Sequence, residues 1–407
     1  MRALVIGGGV VGLNIALTLQ AERYDVILIE SQRQITGASY GNAGHIAIEQ
    51  VEPLASWATI RSAPRRLFMR GGALSLPPKA IDAWLPFSLR MMQAASPRRF
   101  AAGKAALSGL IQNAMPAWQN RVADLGAPDL LRQDGHYVVW ESPESAHKGL
   151  ASWTATDTGP ARFRPVTDDE MHQLSAVTRK TLHGAIRFEN TGQIADLPRL
   201  LEAMTTAFTA RGGRILYERA ERLTSDGVVL SGGEVLTADA VIVSAGIASK
   251  PLMESLGLKV PPKVPMIAER GYHIQAAQHA WPDHLPPVVF EDRSMIVTGF
   301  ESGLRAASFV EFARAVDPAD PRKWARLKAH VADLGLPFQG DPTQWTGARP
   351  TFSDYLPAIG RVADSKLYYA FGHQHLGLTL GAVTGDIVAA MVAGGDAPAA
   401  FDLKRFS

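Results

Sequence analysis

Residues 2–12 read Arg-Ala-Leu-Val-Ile-Gly-Gly-Gly-Val-Val-Gly, and this stretch decides the fold of the chain. Its first five residues are mostly apolar and predict a buried strand. The glycines that follow give the pattern G-x-G-x-x-G at Gly7, Gly9 and Gly12. Apolar residues at helical spacing continue to Gln20, and a second buried strand, 26–29, ends at Glu30. The sequence therefore predicts a complete strand–helix–strand unit of the type that binds a dinucleotide.

Each part of this unit has a chemical role. Gly7 permits the tight turn after the strand, Gly9 lets a pyrophosphate approach the backbone, and Gly12 lets the helix pack closely on the strand. The start of the helix offers free N–H groups to the phosphates. Glu30 can accept hydrogen bonds from ribose hydroxyls and would repel a 2′-phosphate, which disfavours NADP. The pattern alone does not separate FAD from NAD. Further nucleotide contacts are predicted from Val10, Val11 and Ser31.

The composition is that of an ordinary soluble globular protein, and it excludes several functions. Hydrophobic residues make up 46% and charged residues 20% of the 407 residues, a length that predicts two domains. The net charge of +2 argues against nucleic-acid binding through bulk charge. The absence of cysteine excludes disulfides, thiolate metal sites and a flavin attached through sulfur. We find no signal peptide and no apolar run of membrane-spanning length, so we expect a cytoplasmic protein.

The rest of the chain predicts helices first and strands later. Residues 53–130 read as irregular helices, whereas residues 264–312 hold alternating segments that suggest a mainly antiparallel sheet. Residues 347–360 read as a proline-punctuated loop. The segment 61–104 contains nine Lys or Arg and only one acid, Asp82. This segment is interpreted either as a surface that contacts the inner face of an anionic membrane or as a solvated basic face over a packed core.

Further motifs occur in order along the chain: Ser39…Asn42-Ala43-Gly44, 241–246, 345–350, Asp354…Pro357…Gly360 and Gly372-His373…Gly377. Together with the N-terminal unit they resemble the D-amino-acid oxidase superfamily of flavoproteins. This superfamily includes glycine oxidase, sarcosine oxidase and bacterial D-amino acid dehydrogenase. The resemblance covers nearly the whole chain. The segment 42–44 looks most like the dehydrogenase branch, and the segment 371–379 resembles the D-hydroxyproline dehydrogenases.

The resemblance implies an α/β fold with two interleaved domains. One would be a Rossmann-like FAD-binding domain of the glutathione-reductase type. The other would be an α+β substrate domain built on a mainly antiparallel sheet, and the flavin ring would lie at the interface. We predict that the FAD-binding domain comprises residues 1–52, 185–252 and 340–407. We predict that the substrate domain comprises residues 53–184 and 253–339.

The resemblance also implies a reaction, the oxidation of an amino acid at its C–N bond. The Cα hydrogen would leave as hydride to flavin N5 and an imine would result. The best predicted substrate is cis-4-hydroxy-D-proline or another D-proline-like amino acid, and the expected electron acceptor is a quinone or a protein carrier. Because cysteine is absent, we expect noncovalent FAD, with His45 as the alternative point of attachment. No metal is expected.

Four residues are predicted to act on the substrate. Arg349 would bind its carboxylate, because a guanidinium offers two parallel N–H donors and the arginine of the family's Gly-x-Arg-Pro motif has this role. Tyr272 could add a hydroxyl to the same carboxylate, and His373 or His375 could contact a substrate ring or its hydroxyl. The alternatives are a structural arginine, a core tyrosine and packing histidines.

A helix starting near residue 379 would direct its N-terminal dipole at the flavin pyrimidine edge. The remaining predicted flavin contacts are Ser39, Asn42, Ala43, Gly44, His45, Ala220, Ala245, Gly246, Gly347, Arg349, Gly372, Leu376, Gly377, Leu378 and Thr379. Three other functions stay open. They are a glycine or sarcosine oxidase that uses oxygen, a flavin-binding electron-transfer subunit of a larger complex, and a plain NAD dehydrogenase.

Overall fold

The computed structural model of the protein describes residues 1–256 and 264–406. The N-terminal unit forms as the glycine pattern predicts: the strand Arg2–Ile6, the helix Val10–Ala21 and the strand Asp25–Ile29. The two strands pair in parallel, and their side chains are buried except at the first residues. Burial on both faces explains why these strands are apolar throughout rather than alternating.

A six-stranded sheet is built on this unit. Its first five strands run parallel and the sixth is antiparallel. Their spatial order is Arg214–Leu216, Asp25–Ile29, Arg2–Ile6, Ala240–Val243, Leu367–Phe371 and Ala358–Arg361. Helices cover one face, and the other is packed against a small antiparallel sheet of Ala220–Leu223, Gly227–Leu230 and Val235–Thr237. This doubly covered, mostly parallel sheet is the Rossmann-like part of the predicted fold.

A second, nine-stranded sheet is mainly antiparallel, as the alternating segments predict. Eight strands follow one another in the order Thr343–Phe352, Met266–Ala276, Gly303–Ala313, Met295–Phe300, Val288–Phe290, His136–Trp140, Gly184–Phe188 and Phe163–Pro165. The ninth, Leu74–Ser75, pairs in parallel with the third of these strands. Two small sheets complete the strands: His45–Ile46 with Gly192–Ile194 and Leu131–Arg132, and Gln278–His279 with Phe338–Gln339.

Five of the ten α-helices in the described residues begin after a residue whose side chain caps the first turn. Asp196 and Asp320 precede two of them, and each side chain accepts a hydrogen bond from a backbone N–H of the first turn. The α-helices are Val10–Ala21, Trp57–Arg66, Ile81–Ala94, Pro97–Asp124, Pro143–Ala155, Asp168–Ala176, Leu197–Ala210, Ser249–Glu254, Pro321–Leu334 and Gly381–Val392. Across residues 1–256 and 264–406, no helix has the length and apolar character required to cross a bilayer.

The predicted loop at 347–360 is wrong. Residues Thr343–Phe352 form the edge strand of the nine-stranded sheet, and Ala358–Arg361 form a strand of the other sheet. Pro350 is tolerated because an edge strand has a neighbour on one side only, so the missing N–H interrupts no second ladder.

The predicted domain boundaries do not all follow the sheets. The boundary at 185 cuts the strand Gly184–Phe188, and the strand Thr343–Phe352 pairs within the nine-stranded sheet although it was assigned to the FAD-binding piece 340–407. Hydrogen bonding to Met266–Ala276 fixes this placement. Within the predicted piece 253–339, residues 257–263 lie outside the described residues.

Candidate active site

Residues from both large sheets enclose a cavity of about 1250 Å³. Its walls include most of the residues predicted to bind the cofactor or the substrate. The predicted residues that line it are Gly7, Gly9, Val10, Val11, Glu30, Ser31, Ser39, Asn42, Ala43, His45, Ala220, Ala245, Gly246, Tyr272, Arg349, Gly372, His373, His375, Gly377 and Leu378. The structure therefore brings together residues that are up to 371 positions apart in the sequence, from Gly7 to Leu378.

The glycines at the start of the chain leave no room for side chains. Gly7 has a φ of +105°, and a Cβ there would lie 2.6 Å from Ala245 Cα. A Cβ at Gly12 would overlap the carbonyl oxygen of Gly7. Gly9 precedes the helix Val10–Ala21 and lines the cavity together with Val10 and Val11, so the start of the helix faces this space. A cradle of this shape fits a pyrophosphate.

Two side chains hold the cradle in place. Glu30 Oε2 accepts a hydrogen bond from the N–H of Gly8 at 2.7 Å, and Glu30 Oε1 accepts one from Gln32 at 3.0 Å. Ser39 Oγ accepts a hydrogen bond from the N–H of Val10 at 3.0 Å. Glu30 Oε1 also accepts a hydrogen bond from the Ser31 hydroxyl at 3.1 Å, and the carboxylate stands at the cavity wall. Its contact with ribose hydroxyls stays a prediction.

Five predicted cofactor contacts do not line the cavity: Gly12, Gly44, Gly347, Leu376 and Thr379. Gly12 packs against the neighbouring backbone, which is the role that close helix packing requires. The space beside Gly44 is filled by Phe300, and that beside Gly347 by Trp345. Leu376 is a core residue, and the Thr379 hydroxyl accepts a hydrogen bond from the N–H of Ala47 at 2.9 Å.

Arg349 is held at the cavity wall by one of its nitrogens. Nη1 donates to Glu269 Oε1 and to the carbonyl oxygen of Phe309, both at 3.3 Å. Nη2 and Nε have no hydrogen-bond partner in the described part of the chain, and the side chain is 27% exposed. The guanidinium is thus oriented on one side and left available on the other, which is the arrangement that carboxylate binding requires.

The support of Arg349 is itself buried and constrained. Glu269 is almost fully buried, and its Oε2 accepts hydrogen bonds from the hydroxyls of Tyr355 at 3.1 Å and Thr351 at 3.3 Å. Phe309 has a φ of 70°, a strained conformation for an aromatic residue, at the point where its carbonyl binds Arg349. The surrounding structure therefore fixes where the guanidinium lies.

The hydroxyl of Tyr272 does not reach Arg349. It donates to Glu311 Oε1 at 2.9 Å and accepts from the N–H of Asp320 at 3.2 Å, within a buried ionic cluster that includes Lys323. Burial raises the pKa of Tyr272 to about 12. The predicted hydroxyl contact to the substrate carboxylate is therefore corrected. Gly271, not Tyr272, shares the face of Arg349, because successive strand residues point to opposite faces.

The two predicted histidines have different surroundings. His373 is buried, and its Nε2 bonds to the hydroxyl of Thr384 at 3.0 Å, which ties the turn to the helix Gly381–Val392. His375 pairs through Nε2 with the side-chain oxygen of Gln50, and its Nδ1 has no partner among the described residues. Burial lowers the pKa of His373 to about 3 and that of His375 to about 4, so both rings are neutral.

Three residues that line the cavity were not predicted from the sequence: Glu269, Glu49 and Gln50. A local signal exists for each: Glu269 interrupts an apolar strand, and Glu49-Gln50 directly follow the apolar run 46–48. Glu49 is 3% exposed, and its Oε1 accepts a hydrogen bond from His45 Nε2 at 2.9 Å. His45 and Glu49 also lie next to His136, with the ring centroids of the two histidines 4.5 Å apart. All five of these residues line the cavity.

Comparison with known proteins agrees with this architecture. The chain is 28% identical to a D-amino-acid oxidase of Bradyrhizobium diazoefficiens, over 96% of the chain and 94% of the relative. It is 28% identical to a D-amino acid dehydrogenase 2 of Pseudomonas aeruginosa, with the same coverage. A glycine oxidase from Geobacillus kaustophilus superposes with a TM-score of 0.69 at 20% identity, covering 100% of this chain and 97% of the other. The similarity to this glycine oxidase structure shows only that the two proteins share a fold.

The sequence model of one family, described as FAD dependent oxidoreductase, matches residues 2–391. This match spans nearly the whole chain and includes the glycine cradle, the strand of Arg349 and the turn of His373. The cavity contains both the glycine cradle, which fits a pyrophosphate, and a chamber lined by Arg349. Both features are expected of an FAD-dependent oxidoreductase. The chain belongs to the DAO family of FAD-dependent oxidoreductases.

Proposed function

We propose that this enzyme oxidises the C–N bond of a small D-amino acid to an imine. The observation that carries the proposal is Arg349, whose Nη1 is fixed by Glu269 and Phe309 while the rest of the guanidinium lies at the wall of the cofactor cavity. A subunit that only transferred electrons would need no such carboxylate anchor. The curated relatives named D-amino-acid oxidase and D-amino acid dehydrogenase support the D configuration.

Arg349 would orient the substrate by binding its carboxylate through two parallel N–H donors. The α-carbon and its amine would then lie in the cavity that Arg349 and His375 both line. Bound FAD, held without a covalent bond, supplies the acceptor for the hydride that leaves Cα. The amine must lose its extra proton before the hydride leaves, and neutral His375, with Nδ1 unpaired in the described part of the chain, can accept a hydrogen bond from it.

We propose cis-4-hydroxy-D-proline, or a related D-proline, as the substrate. One proton with two electrons leaves Cα as hydride, one proton leaves the neutral amine nitrogen, and the product is the cyclic imine pyrroline-4-hydroxy-2-carboxylate. The similarity of residues 371–379 to D-hydroxyproline dehydrogenases supports this choice. The apolar side chains of Met295 and Phe309 line the chamber and suit a small ring.

Anaerobic reduction of the bound flavin tests the proposal. Purified enzyme is mixed without oxygen with D-proline, cis-4-hydroxy-D-proline, D-alanine, sarcosine and the L enantiomers, and loss of the visible absorbance is followed. We expect rapid bleaching by the D-prolines, and at least about 100-fold slower bleaching in Arg349→Met. Bleaching only by L-amino acids or sarcosine would contradict the D assignment, and no bleaching by any amino acid would contradict the whole proposal.

We further propose that the electrons pass to a membrane quinone rather than to oxygen. The helix Ile81–Ala94 carries an outer stripe of exposed apolar side chains at helical spacing, on the face opposite to its buried residues Phe87 and Met91. The outer stripe consists of Ile81, Leu85, Leu89 and Met92. Seven of the twelve large exposed hydrophobic residues of the described chain lie between positions 54 and 92, so this region is unusual for the molecule.

Charge makes an anionic bilayer the best occupant of this surface. Eight exposed basic residues flank the outer stripe and make no ion pair within the described residues: Arg61, Arg65, Arg66, Arg70, Lys79, Arg90, Arg98 and Arg99. The single acid of the segment, Asp82, is neutralised by Arg314. Apolar insertion and attraction to anionic headgroups act together on such a face. Leu54 and Arg66 also line the cavity, so its mouth adjoins this surface.

A further inference from the structure

A buried polar pair in the cavity has hydrogen-bonding atoms that the described chain does not satisfy. Glu49 Oε1 is bound by His45 Nε2, but Glu49 Oε2 and His45 Nδ1 are buried without any partner. Unpaired buried carboxylate oxygens are rare because they lose their hydration without compensation. Both residues line the cavity, so a molecule that enters it can reach them.

Glu49 is an acceptor rather than a donor. Burial alone would raise its pKa, but His45 and His136 outweigh this effect and lower the pKa to about 2. The ionised carboxylate accepts hydrogen bonds only, so Oε2 requires a ligand that donates one. His136 lies beside the pair but makes no hydrogen bond to Glu49 in the described part of the chain; its Nδ1 pairs with the hydroxyl of Thr191 at 2.8 Å and its ring is stacked on Phe188.

The pair lies in the same chamber as the carboxylate anchor. Gln50, the next residue after Glu49, binds His375, which connects this segment to the turn beside Arg349. Arg349, His375 and Glu49 all line the same cavity. An amino acid held by Arg349 therefore shares this cavity with the unpartnered oxygen of Glu49.

We propose that Glu49 and His45 form a binding site for a hydroxyl group on the side chain of the substrate. This inference rests on the proposed function and names the substrate class more narrowly: hydroxylated D-amino acids of proline size. The hydroxyl would donate one hydrogen bond to Glu49 Oε2, and His45 would hold the carboxylate in place through Oε1. The unhydroxylated analogue would leave the carboxylate oxygen unpaired, and a site built in this way discriminates strongly against it.

Two substrates that differ by a single hydroxyl test the inference. The rate constant for anaerobic flavin reduction, divided by the apparent dissociation constant, is measured for cis-4-hydroxy-D-proline and for D-proline. In the wild type we expect the hydroxylated substrate to be preferred about 10-fold or more, as for a hydrogen bond to a charged group. Glu49→Gln should reduce this preference ratio by at least about 10-fold, and His45→Gln should reduce it less.

Glu291→Gln is the matched control. Glu291 is also a shielded acid, bound by Trp140 and Trp153, but it does not line the cavity, so its variant should keep the wild-type ratio. Flavin content and the melting temperature report whether each variant folds. If Glu49→Gln does not fold, the wild-type comparison of cis-4-hydroxy, trans-4-hydroxy and unsubstituted D-proline still decides, since no preference for either hydroxylated epimer would overturn the inference.

Other outcomes identify what is wrong. Equal losses for both substrates in Glu49→Gln would assign the pair to the α-amine and overturn the hydroxyl site. Preference for D-lysine would assign it to a cationic side chain instead. One equivalent of a divalent metal in the purified protein, lost in Glu49→Gln, would assign the cluster of His45, Glu49 and His136 to a metal. Reduction by neither proline would refute the proposed function itself.

Discussion

A methyl group added at Gly271 should disable the carboxylate anchor without touching the cofactor cradle. A Cβ at this position would lie 2.7 Å from Arg349 Cζ, whereas ordinary van der Waals contact begins near 3.4 Å. The guanidinium would have to move by about 1 Å, and a displacement of this size at a substrate-orienting group can lower the rate about 100-fold. That loss corresponds to about 2.7 kcal/mol of transition-state stabilisation. Gly271 does not have a positive φ, so alanine fits its backbone.

The assay is stopped-flow flavin reduction by cis-4-hydroxy-D-proline in Gly271→Ala, Arg349→Met and the double variant. Because the methyl acts through Arg349, Gly271→Ala should add little once Arg349 is removed, and the double-mutant cycle should be strongly non-additive. Gly109→Ala is the control, since its Cβ would contact nothing within 4 Å. Wild-type kinetics in Gly271→Ala, or additive losses in the cycle, would refute the assignment of Arg349 as the anchor.

Two further predictions concern stability and membrane contact. Burial lowers the pKa of His373 from 6.5 to about 3, so below about pH 6.5 the unfolded chain binds a proton that the folded chain does not, and stability falls as the pH decreases. His373→Asn should reduce the difference in unfolding free energy between about pH 7.5 and 5.5 by about 1 kcal/mol, measured by urea unfolding with exposed His147→Asn as control. An unchanged difference would contradict a neutral buried ring. The double variant Leu85→Ser, Leu89→Ser should abolish sedimentation with phosphatidylglycerol vesicles and slow quinone reduction, whereas Leu150→Ser should not, and wild-type binding should weaken with salt. Equal wild-type sedimentation with neutral vesicles, or none with anionic vesicles, would contradict the membrane surface.

Sequence patterns predicted elements best where the determining signal is local. The strand–helix–strand unit forms as expected, because its glycine turn and its apolar periodicity lie within the unit itself. The edge strand Thr343–Phe352 was missed because its prolines and glycines resemble a loop. Its strand geometry is imposed by pairing with Met266–Ala276, which lies about 75 residues earlier.

In the candidate site, too, residues within a local motif were predicted, whereas their long-range partners were not. Arg349 was identified by its motif, but its support was not, because Glu269 and Phe309 approach it from strands 80 and 40 residues away. Tyr272 looked like a substrate ligand from its neighbours in the sequence, yet it points to the opposite face of the strand from Gly271, and its hydroxyl donates to the buried Glu311.

The sequence by itself determined the cofactor class and the family, because a glycine cradle, a ribose-binding acid and ordered motifs are readable along the chain. Only the tertiary structure decided which polar groups share the chamber. His375 and Gln50 lie 325 residues apart in the sequence, and Arg349 and Glu269 lie 80 residues apart, so no local pattern encodes either contact. The physical reason is that burial creates the need for partners, and burial exists only after the two sheets have closed on one another.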